Sequence, residues 1–243
     1  MRYFIELRYK GTNYCGWQRQ NDQPTVQAAI EQGLATLLKS PTPITGAGRT
    51  DTGVHASHYV AHFDIDTDIA DTDFLCHKLN IILPEDISIF NIYRVADDAH
   101  ARFDAKMREY TYFIERNKNP FTRQSSWQYY VDLDVEAMNL AATRLLAHSD
   151  FTSFAKLNSN NKTNICKVSH AEWHLSPTGE LIFTIRADRF LRNMVRAIVG
   201  TLVDVGRGKY TVEQFDAIIS ARDLSKCSAG APAQGLFLSD IEY

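Results

Sequence analysis

Apolar and polar residues alternate along Arg2–Tyr9, with Tyr3, Ile5, Leu7 and Tyr9 on one face and Arg2, Phe4, Glu6 and Arg8 on the other. A period of two predicts a strand with one covered face and one mostly polar face. The next stretch, KGTNYCGWQRQNDQP, is dense in turn formers and carries Tyr14 and Trp17. The period then changes. Val26, Ile30, Leu34 and Leu37 form one helical stripe reaching about Lys39, with Thr25 placed to cap it. PTPITGAGRTDTG predicts a short strand followed by a glycine-rich loop, and His58–Ile65 predicts another strand. Asp71–Leu83 has a helical pattern and Ile87–Val95 a strand pattern. Arg108–Arg116 sets Tyr110, Tyr112 and Ile114 against Thr111 and Phe113, a strand with apolar groups on both faces.

The second half repeats this rhythm. A strand is expected near Trp127–Val131, a helix over Val135–His148, and strands near Lys167–Leu175 and Leu181–Ala187. Helices follow at about Phe190–Val205 and Val212–Ala221, before a last strand at Leu236–Tyr243. Mixed elements with hairpin-like connections predict an α+β fold with largely antiparallel sheet. No sequence repeat is visible, although the two halves share a loose element order. The stretch NKNPFTRQSS, at 117–126, suits a junction and is too short for a free linker. That junction would divide the chain into 1–116, with the glycine-rich loop, and 117–243, with a basic helix, each of mainly antiparallel strands and helices.

Composition narrows the class. Of 243 residues, 44% are hydrophobic and 23% charged, as in ordinary soluble domains. The opening MRYFIELRYKG is charged at Arg2, Glu6, Arg8 and Lys10 and has no apolar signal-peptide core. No apolar run approaches the roughly 20 residues that span a bilayer. Cys15, Cys76, Cys166 and Cys227 form no C-x-x-C pair. That argues against a zinc ribbon or disulfide framework and suits a reducing cytoplasm. The net charge of −3 argues against a polyanionic partner, but the distribution reverses this locally. Residues 60–99 hold 9 acids against 2 bases, whereas residues 186–209 hold 6 bases against 2 acids. Binding follows the local field, so a basic face remains available to nucleic acid.

Three stretches carry candidate chemistry. In GAGRTDTGVHA, Gly46, Gly48 and Gly53 allow sharp turns that present Asp51. Arg49 lies two residues before it, on the same side if the loop is extended. A positioned, ionised carboxylate can serve as nucleophile or general base. A turn held by an Arg–Asp pair and threonine hydroxyls accounts for the same residues. The loop lacks the lysine and spacing of a phosphate-cradling P-loop. His55, His58 and His62 lie beside it without a cysteine or suitably spaced acid, so structural or surface histidines are the better reading than a metal site. In ADRFLRNMVRAIVGTLVDVG, Leu191, Met194, Val195, Ile198, Val199 and Leu202 form the buried stripe of a helix. Arg189, Arg192 and Arg196 fall at i, i+3 and i+7, a second stripe suited to phosphates or to a phosphate plus a carboxylate. A solvated basic face is the alternative. ARFDAKMREYTYF interleaves Arg102, Lys106 and Arg108 with Phe103, Tyr110 and Tyr112, which fits recognition of unstacked RNA bases. Tyr112 is the more natural core residue.

In chain order, GTNYCGWQRQ, TVQAAIEQGL, GAGRTDTGVHA, ARFDAKMREYTY, FLRNMVRAIVGTLVDVGRG and APAQGLFLSDIEY together resemble the tRNA pseudouridine synthase A family. GRTDTGVHA is highly specific. The resemblance implies a two-lobed α+β fold with a basic central cleft, a homodimer, and no metal or organic cofactor. It implies a tRNA isomerase that turns uridine into pseudouridine in the anticodon stem-loop, around positions 38–40. It also implies site roles: Asp51 as nucleophile, Tyr110 as active-site tyrosine, Arg196 as the aspartate's partner, and Arg49 as the residue coaxing the base from its stack. Arg189, Arg192, Arg108 and Lys106 are the expected substrate-binding cations. Lys10, Asp104 and Asp188 depart from the usual pattern, which bears on tRNA contacts and leaves the reaction class untouched. Two competing classes are a catalytically idle RNA-binding module and an aspartate-nucleophile hydrolase of small glycosides. The hydrolase lacks the second carboxylate that most glycosidases use.

Overall fold

Strand β1 (Arg2–Tyr9) is hydrogen-bonded on one side to β3 (His55–Asp64) and on the other to β4 (Ile87–Val95), both antiparallel. The short β2 (Ile44–Gly46) adds to β3, also antiparallel. A computed structural model of the chain describes residues 1–156 and 162–243. It divides into two compact units, Met1–Lys106 with Leu238–Tyr243, and Met107–Phe237.

In the first unit, the alternation read in β1 buries Tyr3, Ile5, Leu7 and Tyr9. Phe4, on the nominally polar face, is also buried, because the rings of His62, Tyr93 and Tyr243 lie around it. Helix α1 (Val26–Leu38) starts where expected, with the Thr25 hydroxyl accepting from Ala28 N. Helix α2 (Thr72–Ile82) is capped by Asp71 in the same manner. The two helices meet at Gly33, where an added Cβ would lie 3.3 Å from Leu79 and Leu83 methyls. Strand β3 begins three positions before the expected His58. Its register against β1 slips between the pairs Leu7↔Tyr59 and Tyr9↔Ala56. A bulge of this kind bends a strand and re-aims its side chains, here at the root of the glycine-rich loop.

In the second unit, β5 (Met107–Glu115) pairs antiparallel with β8 (Leu181–Ala187), which pairs antiparallel with β7 (Val168–Leu175). Strand β6, expected over Trp127–Val131, is only Trp127–Gln128 and runs parallel to β5. Helices α3 (Val135–Arg144), α4 (Met194–Gly206) and α5 (Val212–Ser220) complete the unit. Thr211 and Gln214 form a full capping box at the start of α5. Pairing along β8 draws β5 into the second unit, so the units part at 106/107, earlier than the 117–126 seam suggested by the sequence. The final strand, β9 (Leu236–Glu242), neighbours β3 in the sheet order.

A further expectation fails. The helix predicted from Phe190 begins only at Met194. Asn193 stands in the left-handed region (φ 67), and Met194 N donates to Leu191 O, closing a turn instead of continuing a helix. Arg189 and Arg192 are therefore not on α4, and the three arginines form no helical stripe.

Candidate active site

Asp51 sits on a loop whose path is fixed by its neighbours. Val54 N donates to Asp51 O (3.1 Å), closing a β-turn with Gly53 at its third position in the left-handed region (φ 78). That conformation is the one glycine supplies without a steric cost. The turn-rich stretch after β1 wraps the loop. Gly53 N donates to Tyr14 O (3.3 Å), Trp17 N donates to Thr50 O (3.3 Å), and Gly11 N donates to His55 Nδ1 (3.0 Å). Contact is close enough to exclude side chains. A Cβ on Gly11 would fall 1.9 Å from Val54 O, and one on Gly16 2.4 Å from Thr50 O.

Below the loop lies an aromatic cluster. Trp17 and Tyr59 stack at 4.0 Å, with Tyr9 tilted against both. Their polar tips face the loop backbone and its hydroxyl: Tyr59 OH donates to Gly48 O, and Tyr9 OH and Thr50 Oγ1 lie 2.8 Å apart. Gly46 leaves room for this cluster, since a Cβ there would clash with the Tyr59 hydroxyl and the Trp17 indole. Asp51 is half-buried and Arg49 exposed, with Arg49 Nε donating to Gln18 Oε1 (3.1 Å). Of the turn weighed from sequence, held by an Arg–Asp pair and threonine hydroxyls, the Thr50 hydroxyl is engaged with Tyr9 OH. Tyr9, Gly11, Gly16, Trp17, Gln18 and Tyr59 are supporting residues to which the sequence reading gave no site role. For Gly11, Gly16 and Trp17 the signal was the aromatic and glycine content of the first loop.

The histidines beside the loop have structural roles. His55 is fully buried and accepts from Gly11, while His62 Nδ1 accepts from Ala101 N (3.1 Å). Burial, with the charges of Arg2 and His100 adding to it, pushes His62 down to about 4, so it is neutral near pH 7. His58 Nδ1 lies 2.9 Å from Asp240 Oδ1. Among the described residues, no group of three His, Cys, Asp or Glu is arranged to hold a metal. Asp104 closes the turn at residues 100–104 by accepting from His100 N (2.7 Å).

In the second unit, Tyr110 is half-buried on β5 opposite Ile185, its ring edge-to-face with Phe190 at 5.1 Å. Tyr112 is core as expected: fully buried, its hydroxyl donates to Pro232 O (2.8 Å), and burial drives its phenol far above the usual range. Arg108 Nη1 donates to Asp188 O (2.9 Å). The Asp188 carboxylate accepts from Lys167 N (2.8 Å) and Arg189 N (2.7 Å) and so fixes the lead-in to α4. Arg189 is half-buried, and Arg192 and Lys106 are exposed. Arg196, on the first turn of α4, is held twice by one residue. Its Nε donates to Ala231 O (2.7 Å), and Ala231 N donates to Arg196 O (2.9 Å).

Comparison with known proteins gives a consistent set of matches. A family model described as tRNA pseudouridine synthase matches residues 7–104 and 141–243. A protein of Bacteroides fragilis named tRNA pseudouridine synthase A is 52% identical over 242 residues, covering 100% of this chain and 96% of the relative. A Bacteroides thetaiotaomicron protein of the same name is 53% identical over 245 residues, covering 100% and 90%. One from Listeria monocytogenes is 37% identical over 246 residues, covering 100% and 99%. No helix among the described residues is long and apolar enough to cross a membrane.

Proposed function

The chain belongs to the tRNA pseudouridine synthase family, and on that premise we propose that it acts on the anticodon stem-loop of tRNA, around positions 38–40, with Asp51 as its nucleophile. It is an isomerase that converts uridine in tRNA to pseudouridine. The C1′–N1 bond breaks, C1′ joins C5, the C5 proton leaves to solvent and N1 gains one. The uracil must rotate between these steps, so it has to leave the helix first, at an unstacking cost of a few kcal/mol.

The observation that carries the site reading is the Asp51 loop. A half-buried carboxylate stands on a turn whose backbone is fixed from both sides and from below. Such preorganisation is what a nucleophile needs and what a solvated surface turn does without. Arg49, exposed beside it, enters the space the base vacates, and Tyr110 stacks on the extruded base. Arg196 pairs with Asp51 and aims it, its guanidinium fixed at Nε by Ala231. Arg108, Lys106, Arg189 and Arg192 meet the phosphates. Family resemblance supports a homodimer, and a tRNA substrate supports a cytoplasmic setting. Light scattering at twice the chain's mass tests the homodimer.

The decisive experiment uses tRNA carrying uridine tritiated at C5, with pseudouridine mapped in the product. Wild type releases tritium and modifies the anticodon stem-loop. Asp51→Asn binds the tRNA and loses release by on the order of 10³-fold. Normal turnover by Asp51→Asn refutes the nucleophile assignment, and pseudouridine mapped elsewhere refutes the position.

A further inference from the structure

Helix α4 presents Arg196, Gly200 and Asp204 at i, i+4 and i+8, a single stripe along its length. Residues 228–231 run against that stripe and touch it at each level. At Arg196, Ala231 forms the two hydrogen bonds described above. At Gly200 the approach is so close that a Cβ would lie 2.1 Å from Ala229 O. Beside it, the buried Thr201 hydroxyl donates to Ala197 O (2.8 Å) and accepts from Ser228 N (3.2 Å). At the far end, Asp204 accepts from Ser228 Oγ (2.6 Å), Lys209 Nζ (2.7 Å) and Arg207 Nη1 (3.2 Å). Burial opposes a charge on Asp204. The hydrogen bonds from Lys209 and Ser228 and the two cations outweigh it, holding this carboxyl below the usual range.

A buried carboxylate that takes two cations and a hydroxyl is an expensive way to end a helix unless something is gained. Here it anchors one end of a segment whose other end carries the carbonyl bonded to Arg196 Nε. We infer that residues 228–231 form a strap that positions Arg196, with Ser228 the positioning residue through which Asp204 sets the strap's register. Glycine at 200 lets the strap lie flat on the helix, so Ala231 O meets Nε at one distance and in one direction. The plane of the guanidinium is then set before substrate arrives. The inference rests on the reading that Arg196 pairs with Asp51. It adds that the pairing depends on residues more than two helical turns away.

The test is a double-mutant cycle in single-turnover assays, with enzyme in excess over tRNA and affinity measured separately by filter binding. Ser228→Ala slows pseudouridine formation about tenfold and changes tRNA affinity less than about twofold. Ser228→Thr keeps the hydroxyl and runs within about twofold of wild type. Gly200→Ala, which must push Ala229 away, slows the reaction further. In an Arg196→Lys background, which has no Nε donor for Ala231, Ser228→Ala costs less than about twofold more. A wild-type rate in Ser228→Ala overturns the strap. So does a repeat of the full tenfold loss in the Arg196→Lys background, which is what general loosening of the unit produces. If Arg196→Lys itself runs at the wild-type rate, the pairing of Arg196 with Asp51 falls, and the strap's role falls with it.

Discussion

Residues 46–54 and residues 188–196 both carry arginines of the proposed site, yet they are built in opposite ways. The first is a loop without regular structure after Gly46, and nearly every turn of it is fixed by backbone hydrogen bonds, glycine contacts or an aromatic hydroxyl. The second reads as a regular helix, but its first half is not helical. Arg196 alone of its three arginines lies on α4, and it is the one clamped at Nε. Arg192 is exposed on the lead-in and Arg189 half-buried there. The contrast separates two demands. A group that must meet a reacting atom needs sub-ångström placement, which packed backbone provides. A group that neutralises phosphate works through a long-range field and tolerates an irregular segment.

The sharpest way to break this comparison is to move the loop without touching its charges. Gly11→Ala or Gly16→Ala inserts a Cβ into Val54 O or Thr50 O, and Gly16 also has φ 89. We expect at least a hundredfold loss of single-turnover rate, of the size a misplaced catalytic group produces, with tRNA affinity within about threefold. A rate near wild type means the loop tolerates displacement and the contrast is false. A smaller effect separates the arginines. Arg189→Ala and Arg192→Ala should each weaken tRNA binding several-fold and flatten its salt dependence, with the rate at saturating enzyme unchanged. Affinity measured across a salt series checks this, and a rate loss without a slope change assigns them to chemistry instead. Next, Tyr110→Phe keeps the ring that meets Phe190 edge-to-face and removes the hydroxyl. Stacking as its sole role predicts less than about a threefold change in rate, and a large loss assigns the hydroxyl a proton-transfer step.

Much of the fold was legible because its periods are clean. β1, α1, α2, β4 and β8 fall where the alternation, the stripes and the caps put them. The lead-in to α4 was misread for a physical reason. Phe190–Asn193 continues the apolar and basic spacing of the helix, and no proline or glycine marks the break. What stops the helix is tertiary: Asp188 turns the backbone at Arg189, and Asn193 takes a left-handed conformation that single-sequence propensity barely registers. The Asp51 loop was found through its motif, but its support was not. Gly11, Gly16 and Trp17 belong to a different stretch of sequence, and only folding shows that two turn-rich loops brace each other. The strap on α4 was equally hidden, since a carbonyl such as that of Ala231 leaves no mark on side-chain chemistry.

The same two units should also part in their response to acid, by a smaller margin. The first unit buries His62 as a neutral acceptor for Ala101 N, with its folded pKa near 4 against about 6.5 when unfolded. The unfolded chain takes up this proton first, so stability is fully present above about pH 6.5 and is lost as pH falls toward 4, by about 1–3 kcal/mol. In the second unit, Asp204 is held below the usual carboxylate range by Lys209 and Ser228. Its stabilising effect is present above the unfolded carboxylate value and is lost only as pH falls through that lowered folded value. Hydrogen exchange at pH 7.0 and 5.5 reads both units in one sample. Once corrected for the intrinsic pH dependence of exchange, protection around Ala101 and β3 should drop at pH 5.5, while that of α4 near Asp204 holds. In His62→Gln, which accepts a hydrogen bond without titrating, the first unit's extra acid sensitivity should disappear. If wild type and His62→Gln lose protection equally between these pH values, the buried imidazole is not what distinguishes the two units in acid.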